Sequence, residues 1–394
     1  MALLNKNPKA KPLVARPSGS GAGQVSSQRP VQAAKRPPCL VGCPSFNDVR
    51  GWLTIVAQRG KLGLGLPEAL EAAWKIMVET NPVPAVMGRV CPAPCEDVCN
   101  RKEKDGAVSI NATERWIGDW GLERKLPLPR AAKQAPRPGK IAVVGGGPAG
   151  LSSAYQLARR GHSVTLFEAA AAAGGILRAS VPASRLPLHV LDAEIARILD
   201  LGVTFRLSTR LGDGVSLETL RAGFDAVCLA LGEAAPDEAH EPGVFRVSPG
   251  GDVAAAAIEN GRRTADEIDA HLSGVPLAAP APGPTIGPER IKHATYAPQP
   301  RATRATRTPE ELAADPLLEA DLGLTEEQLL IEADRCYSCG MCFDCERCWM
   351  FCQNEGFRKV PNPTPGHYYS LMLDACNGCK KCANICPSGF IDWV

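Results

Sequence analysis

Sixteen cysteines dominate the chemistry available to this 394-residue sequence. Cys39, Cys43, Cys91, Cys95 and Cys99 lie in the first hundred residues, ten more run from Cys336 to Cys386, and Cys228 stands alone. Cys342, Cys345, Cys348 and Cys352 follow the spacing C-x2-C-x2-C-x3-C. Cys376, Cys379, Cys382 and Cys386 repeat it, with Pro387 behind the last. Three closely spaced thiolates wrap one [4Fe-4S] cube while the fourth residue crosses to a second, so the pattern predicts a two-cluster ferredoxin module. One cluster takes Cys342, Cys345, Cys348 and Cys386; the other takes Cys376, Cys379, Cys382 and Cys352. Zinc modules separate two C-x2-C pairs by about a dozen residues or more, which disfavours zinc here.

A second constellation binds phosphate. Gly145, Gly147 and Gly150 form G-x-G-x-x-G directly after the apolar run Ile141–Val144, and Ala154, Leu157 and Ala158 continue at helical spacing. Such glycines allow a tight turn and close backbone approach, so that the following helix N-terminus, from about Ala149, receives a pyrophosphate. Glu168 ends the strand-like stretch Ser163–Glu168 at the distance where an acid meets a ribose 2'-hydroxyl. An adenine dinucleotide is predicted.

The elements that must position these groups fall into distinct parts. Residues 1–37 are rich in Lys, Pro, Ser, Gly and Gln and read as a disordered tail. Residues 38–130 form a helical iron-sulfur domain: Val49, Trp52, Leu53 and Val56 share one helix face, and Pro67 opens a second helix carrying Leu70, Ala73, Trp74 and Met77. Residues 131–275 form an α/β, Rossmann-like dinucleotide domain. Residues 276–331 read as a surface linker rich in Pro, Ala, Thr and Arg, and residues 332–394 as a small α+β ferredoxin domain that needs bound clusters to hold a core. The predicted class is therefore multidomain. A net charge of +2 recruits neither nucleic acid nor an anionic membrane, and no run reaches the length of a membrane span. With no export signal read in the sequence, a cytoplasmic protein is expected, and its cysteines as cluster ligands rather than disulfides. No Ser-His-Asp or paired-carboxylate pattern exists, and the six histidines form no ligand spacing.

Several segments resemble the glutamate synthase small-subunit family: Gly88-Arg-Val-Cys-Pro-Ala-Pro-Cys95, the pair Gly174-Gly175 after Glu168, the strand Phe224–Gly232, and Gly250-Gly251-Asp252 before a helix. The resemblance covers about residues 38–275. It implies that the dinucleotide is FAD, with Asp252 on the flavin ribityl chain and Gly175 and Gly251 beside the cofactor. It also implies two clusters in the N-terminal domain, one of them with a carboxylate or amide ligand in place of a cysteine, a place that Glu114 occupies here. The ferredoxin part, led by Cys336-Tyr-Ser-Cys339-Gly, is similar to iron-sulfur flavoproteins that accompany sirohaem sulfite reductases. The sequence departs from the family in one respect. Only Glu233 to Pro249 separate the two flavin segments where the family carries a nicotinamide-binding unit, and no second glycine fingerprint exists. NAD(P)H is therefore not expected as a direct substrate.

The resemblance assigns Cys43, Cys91, Cys95 and Glu114 to one cluster and leaves Cys39 and Cys99 two ligands short. Cys336 and Cys339 are surplus to the ferredoxin core and complete that set, giving four clusters from fifteen cysteines and one glutamate. The competing count makes Cys336 and Cys339 a loose pair and leaves one N-terminal cluster. Cys228 reads as a buried small hydrophobe. The expected function is electron transfer between FAD and [4Fe-4S] clusters as a subunit serving a partner oxidoreductase or a ferredoxin-like carrier. The alternatives are a self-contained flavin-dependent reductase with another donor, and a cluster-bearing scaffold whose flavin site has decayed.

Overall fold

A computed structural model describes residues 26–132, 135, 138–232, 241–251, 253–276 and 283–394. Asp48 opens the first long helix, Val49–Gln58, by accepting a hydrogen bond from the Gly51 amide at 3.0 Å. Its Trp52, Leu53 and Val56 are buried against the Leu70, Ala73, Trp74 and Met77 face of the helix Leu66–Val78, the two amphipathic patterns read from the sequence. The helices Pro84–Val90 and Ile110–Glu123 cross so closely that a methyl group at Gly88 would strike the backbone of Arg115, and one at Gly118 that of Ala85. Only glycine permits this approach. The crossing puts Cys91, the residue ending the first of these helices, and Glu114 of the second on one cavity.

The α/β part is built on five parallel strands in the order Thr204–Arg206, Ser163–Phe167, Lys140–Val144, Ala226–Leu229 and Val244–Arg246. Lys140–Val144 is central, with Ile141 aligned on Val164 at one side and Ala226 at the other. Both faces are covered, which is why the strands are apolar runs rather than alternations. On one face the helix Pro148–Arg159 lies against Ala254–Ser273, with Ser152 Oγ donating to Ile258 O at 2.6 Å and Ser153 Oγ to Gly261 O at 3.0 Å. On the other, Leu220 packs with Ala142, Val144, Phe167, Val227 and Leu229. Cys228 is fully buried in its strand. The two domains are joined through polar contacts: Tyr155 OH donates to Val78 O at 2.8 Å, and the Ala85 amide to Glu194 Oε1 at 2.8 Å.

Two expectations about connecting segments need correction. Residues 1–25 lie outside the described residues, but 26–37 are not the disordered tail expected: Pro30–Gln32 pairs antiparallel with Ile391–Trp393, and Lys35 Nζ meets Asp392 Oδ2 at 2.8 Å. Polar composition masked a segment whose backbone groups find partners at the far end of the chain. The stretch 276–331 is more than a surface linker. Ile286, Ile291 and Tyr296 are buried with Tyr337 and Phe343 in a small core of their own, and the helices Pro309–Ala314 and Glu326–Arg335 both begin at capping boxes. Among the described residues no helix is long and apolar enough to cross a membrane.

What anchors the second of those helices is a fully buried ion pair. Glu332 accepts from Arg335 at 2.8 Å, from the Ser109 amide at 2.7 Å and from the Ala302 amide at 2.5 Å. Arg335 also donates to the carbonyls of Asp105, Gly106, Ala107 and Gln299 at 2.7–3.0 Å. Replacing Glu332 with alanine leaves two buried amides without an acceptor and takes from Arg335 its shorter carboxylate contact, Asp105 Oδ1 remaining at 3.3 Å, so the chain is expected to lose roughly 3 kcal/mol of stability, read from the denaturant midpoint followed by tryptophan fluorescence. An unchanged midpoint would contradict this account of the junction.

Candidate redox site: one cleft and four donor quartets

The glycine turn behaves as its spacing demands. Gly145 has φ +107°, and Gly150 comes so near Gly145 O that no β-carbon fits between them. Gly147 starts the helix Pro148–Arg159 with no side chain capping its first amides. Gly145, Gly147, Ala149, Glu168, Gly175 and Gly251 all line one cleft of about 1170 Å³. Gly150 sits just behind it. Uncapped helix amides at a cleft of that size suit the pyrophosphate of a dinucleotide. Glu168 has a second task that its position in the sequence did not announce: its carboxylate accepts from the Gly146 amide and the Ala170 amide, each at 2.7 Å, and so stiffens the turn. Asp252 lies outside the described residues. Thr209, Arg210, Ser216 and Ser248 also line the cleft. Sequence reading missed them because they belong to no spaced motif.

The sixteen predicted metal ligands gather in four sets, each around its own cavity. Cys43, Cys91, Cys95 and Glu114 line the first. Cys39, Cys99, Cys336 and Cys339 line the second. Cys342, Cys345, Cys348 and Cys386 line the third, and Cys352, Cys376, Cys379 and Cys382 the fourth. These are the groupings expected from the sequence, including the pairing of Cys39 and Cys99 with residues more than two hundred positions away. Among the described residues no three His, Cys, Asp or Glu side chains close together as a single-ion site does. Donors spread around a space suit a cube of iron and sulfide better than one zinc ion, whose four ligands converge at about 2.3 Å.

Electrostatics agree with that donor set. Burial pushes the thiols of Cys91 and Cys342 up to about 12, and those of Cys336, Cys345 and Cys382 up to about 11. The Cys39 thiol is raised well above its ordinary value, first by burial and then by the nearby Cys336, Cys339 and Cys99. Thiols this reluctant to ionise stay protonated until a metal takes the proton's place. Burial likewise raises Glu114 to about 7, against the opposing hydrogen bond that Asn81 Nδ2 donates to its Oε1 at 2.8 Å.

The cavities stand in series. Val90 and Pro92 face the cleft while Cys91 between them faces the first quartet. Val49 and Ile110 are common walls of the first and second. Between the second and third lies the aromatic core, where Tyr296 stacks on Tyr337 at 4.1 Å between ring centroids and on Phe343 at 5.7 Å, with Cys339 and Cys345 packed against it. The third and fourth share the core of Phe357, Tyr368, Tyr369 and Phe390. Of the sixteen cysteines, Cys379 alone is exposed, in the last quartet.

Comparison with known proteins finds three family matches along the chain. Residues 14–126 match the family model described as dihydropyrimidine dehydrogenase domain II, 4Fe-4S cluster; residues 143–196 an NAD(P)-binding Rossmann-like domain; and residues 369–392 a 4Fe-4S binding domain. Over 192 residues the chain is 42% identical to the glutamate synthase [NADPH] small chain of Bacillus subtilis, covering 48% of this chain and 37% of that one. It is 35% identical over 245 residues to the NADP(+)-dependent formate dehydrogenase subunit beta of Moorella thermoacetica, covering 56% and 33%. It is 36% identical over 197 residues to the NADPH-Fe(3+) oxidoreductase subunit beta of Geobacter sulfurreducens, covering 50% and 28%. The match therefore spans less than half the length of each relative. Over that span, the homologues of this chain are the glutamate synthase small chain and related oxidoreductase subunits, and the chain joins their iron-sulfur and Rossmann-like domains to a 4Fe-4S ferredoxin module.

Proposed function

We propose that this chain is an electron-transfer subunit that passes electrons between a bound FAD and four [4Fe-4S] clusters on behalf of a partner oxidoreductase. The observation that carries the reading is the series of cavities, running from the glycine-lined cleft through three quartets without an exposed cysteine to a last one in which Cys379 is exposed. When bound, FAD supplies the conversion between two-electron and one-electron exchange. The protein's own part is position and tuning. The turn at Gly145–Gly150 seats the pyrophosphate, Glu168 holds that turn and faces the ribose, and Gly175 and Gly251 leave room for the cofactor. Asp252 is assigned to the ribityl chain.

At the metal centres, fifteen thiolates and the Glu114 carboxylate are the ligands. The apolar walls between quartets keep water from the relay, and the face around Cys379 is where a partner subunit or a ferredoxin-like carrier exchanges electrons. An intact glycine turn and a spacious cleft favour this over a scaffold with a decayed flavin site. Nicotinamide is not a direct substrate in this reading. The segment Glu233–Pro249 is too short for a second Rossmann unit, even though the relatives' names refer to NADPH or NADP(+).

Four measurements test this. Anoxically purified chain should hold about sixteen irons, four centres of four; about twelve would leave Cys336 and Cys339 unligated and overturn the four-centre count. Glu114→Ala should release about four of them while Glu114→Cys retains them, and equal iron in all three proteins would remove Glu114 from the ligand set. Gly150→Val, which thrusts a side chain into Gly145 O, should lose FAD with iron content unchanged, whereas retained flavin would mean that the dinucleotide binds elsewhere. In the same preparation NADPH and NADH should leave the flavin oxidised on a catalytic timescale unless a partner is added; rapid bleaching by either nucleotide alone would show a direct nicotinamide site.

A further inference from the structure

Among the described residues Arg50 has no carboxylate partner. It lines the second cavity together with Cys39, Cys99, Cys336 and Cys339, and no carboxylate lines that cavity. Its NH1 donates to the carbonyls of Lys35 and Cys339 at 2.7 and 2.6 Å, and its Nε is buried with no hydrogen-bond partner. The other two guanidiniums nearby each hold a carboxylate. Arg101 is held by Asp105 at 2.5 Å, and Arg335 by Glu332 at 2.8 Å. The first cavity is the reverse case. Glu114 lines it, and no basic side chain does.

We propose that Arg50 raises the reduction potential of the centre held by Cys39, Cys99, Cys336 and Cys339 above that of the adjoining centre beside Glu114, so that electrons collect where the two halves of the chain meet. The proposal rests on the four-centre reading above. A cluster with four thiolates is already anionic, and its reduction adds one electron and one further negative charge without breaking a bond. A half-buried guanidinium whose Nε is turned into the protein stabilises that added charge, and the interaction is screened by salt less than one between exposed groups. Asn100 Nδ2, 3.5 Å from Cys339 Sγ, adds a sulfur-directed donor on the same side. The last quartet has basic neighbours too, Lys380 and Lys381, but it reaches the surface, where solvent and ions screen them. An electron arriving from the flavin therefore steps down at the junction before it crosses the Tyr296–Tyr337 wall.

The test is a potentiometric titration of the full chain followed by electron paramagnetic resonance, with iron assayed on the same samples. Arg50→Gln and Arg50→Met should lower one midpoint by at least the equivalent of a tenfold change in its reduction equilibrium, about 59 mV for one electron. The remaining midpoints and the iron content should not move, and Arg50→Lys should restore the shifted one. Four centres with no midpoint displaced in either neutral variant would overturn the proposal. So would loss of the centre from both neutral variants, since Arg50 would then serve to hold the Cys339 loop rather than to set a potential. About twelve irons in the unaltered chain would instead count against the four-centre reading itself.

Discussion

The buried pair of Glu332 and Arg335 is the contact on which the joining of the two halves depends. Charges taken out of water are costly unless every lone pair and proton is satisfied. Here the carboxylate collects two backbone amides from separate segments, and the guanidinium collects four carbonyls. The pair thereby fixes the segments around Asp105–Ser109 and Gln299–Ala302 to the end of a helix whose next residue is Cys336. Asp105 belongs to the same knot. Burial pushes its carboxyl up, but hydrogen bonds from Arg101 and the Gln299 amide win and hold it down at about 2. Together with Arg50 on the Cys339 carbonyl and Thr54 on Ser338, this polar lock brings thiols from both ends of the sequence around one cavity.

A second constraint acts in the helical domain, and it is steric. The approach of Pro84–Val90 to Ile110–Glu123 at Gly88 and Gly118 leaves no room for a side chain at either crossing point. Its effect is to turn Glu114, half-buried and bonded to Asn81, into the same space as three thiols. A carboxylate on an amphipathic helix would otherwise face water. Glycine content in this domain is therefore a matter of where Glu114 points.

Much of this was legible in the sequence for reasons that can be named. Ferredoxin ligands are local, so C-x2-C-x2-C-x3-C twice over defined two quartets before any fold was known, and the glycine fingerprint between a strand and a helix defined the cleft. The link between Cys39, Cys99, Cys336 and Cys339 came from counting ligands, an argument with no geometry in it. What spacing could not convey were contacts formed by isolated residues across long separations. Arg50 on the Cys339 carbonyl, Glu332 on the Ser109 amide and Tyr296 against Tyr337 have no periodic signature. The polar composition of 26–37 and the Pro-rich composition of 276–331 pointed the wrong way for the same reason. Both segments are ordered by partners far along the chain, and composition carries no information about partners.

The pairing of Pro30–Gln32 with Ile391–Trp393 also dictates an order of assembly. During synthesis the helical and Rossmann-like parts emerge early and can fold as units, while the first strand waits, unpaired, until nearly the whole chain has been made. The same delay falls on Cys39 and Cys99, whose partners Cys336 and Cys339 appear some three hundred and two hundred residues later. Contacts of such long sequence separation form slowly. An incomplete translation product would thus present Cys39 and Cys99 without their partner thiols, and in the four-centre reading iron insertion at the junction becomes a late checkpoint on the integrity of the polypeptide.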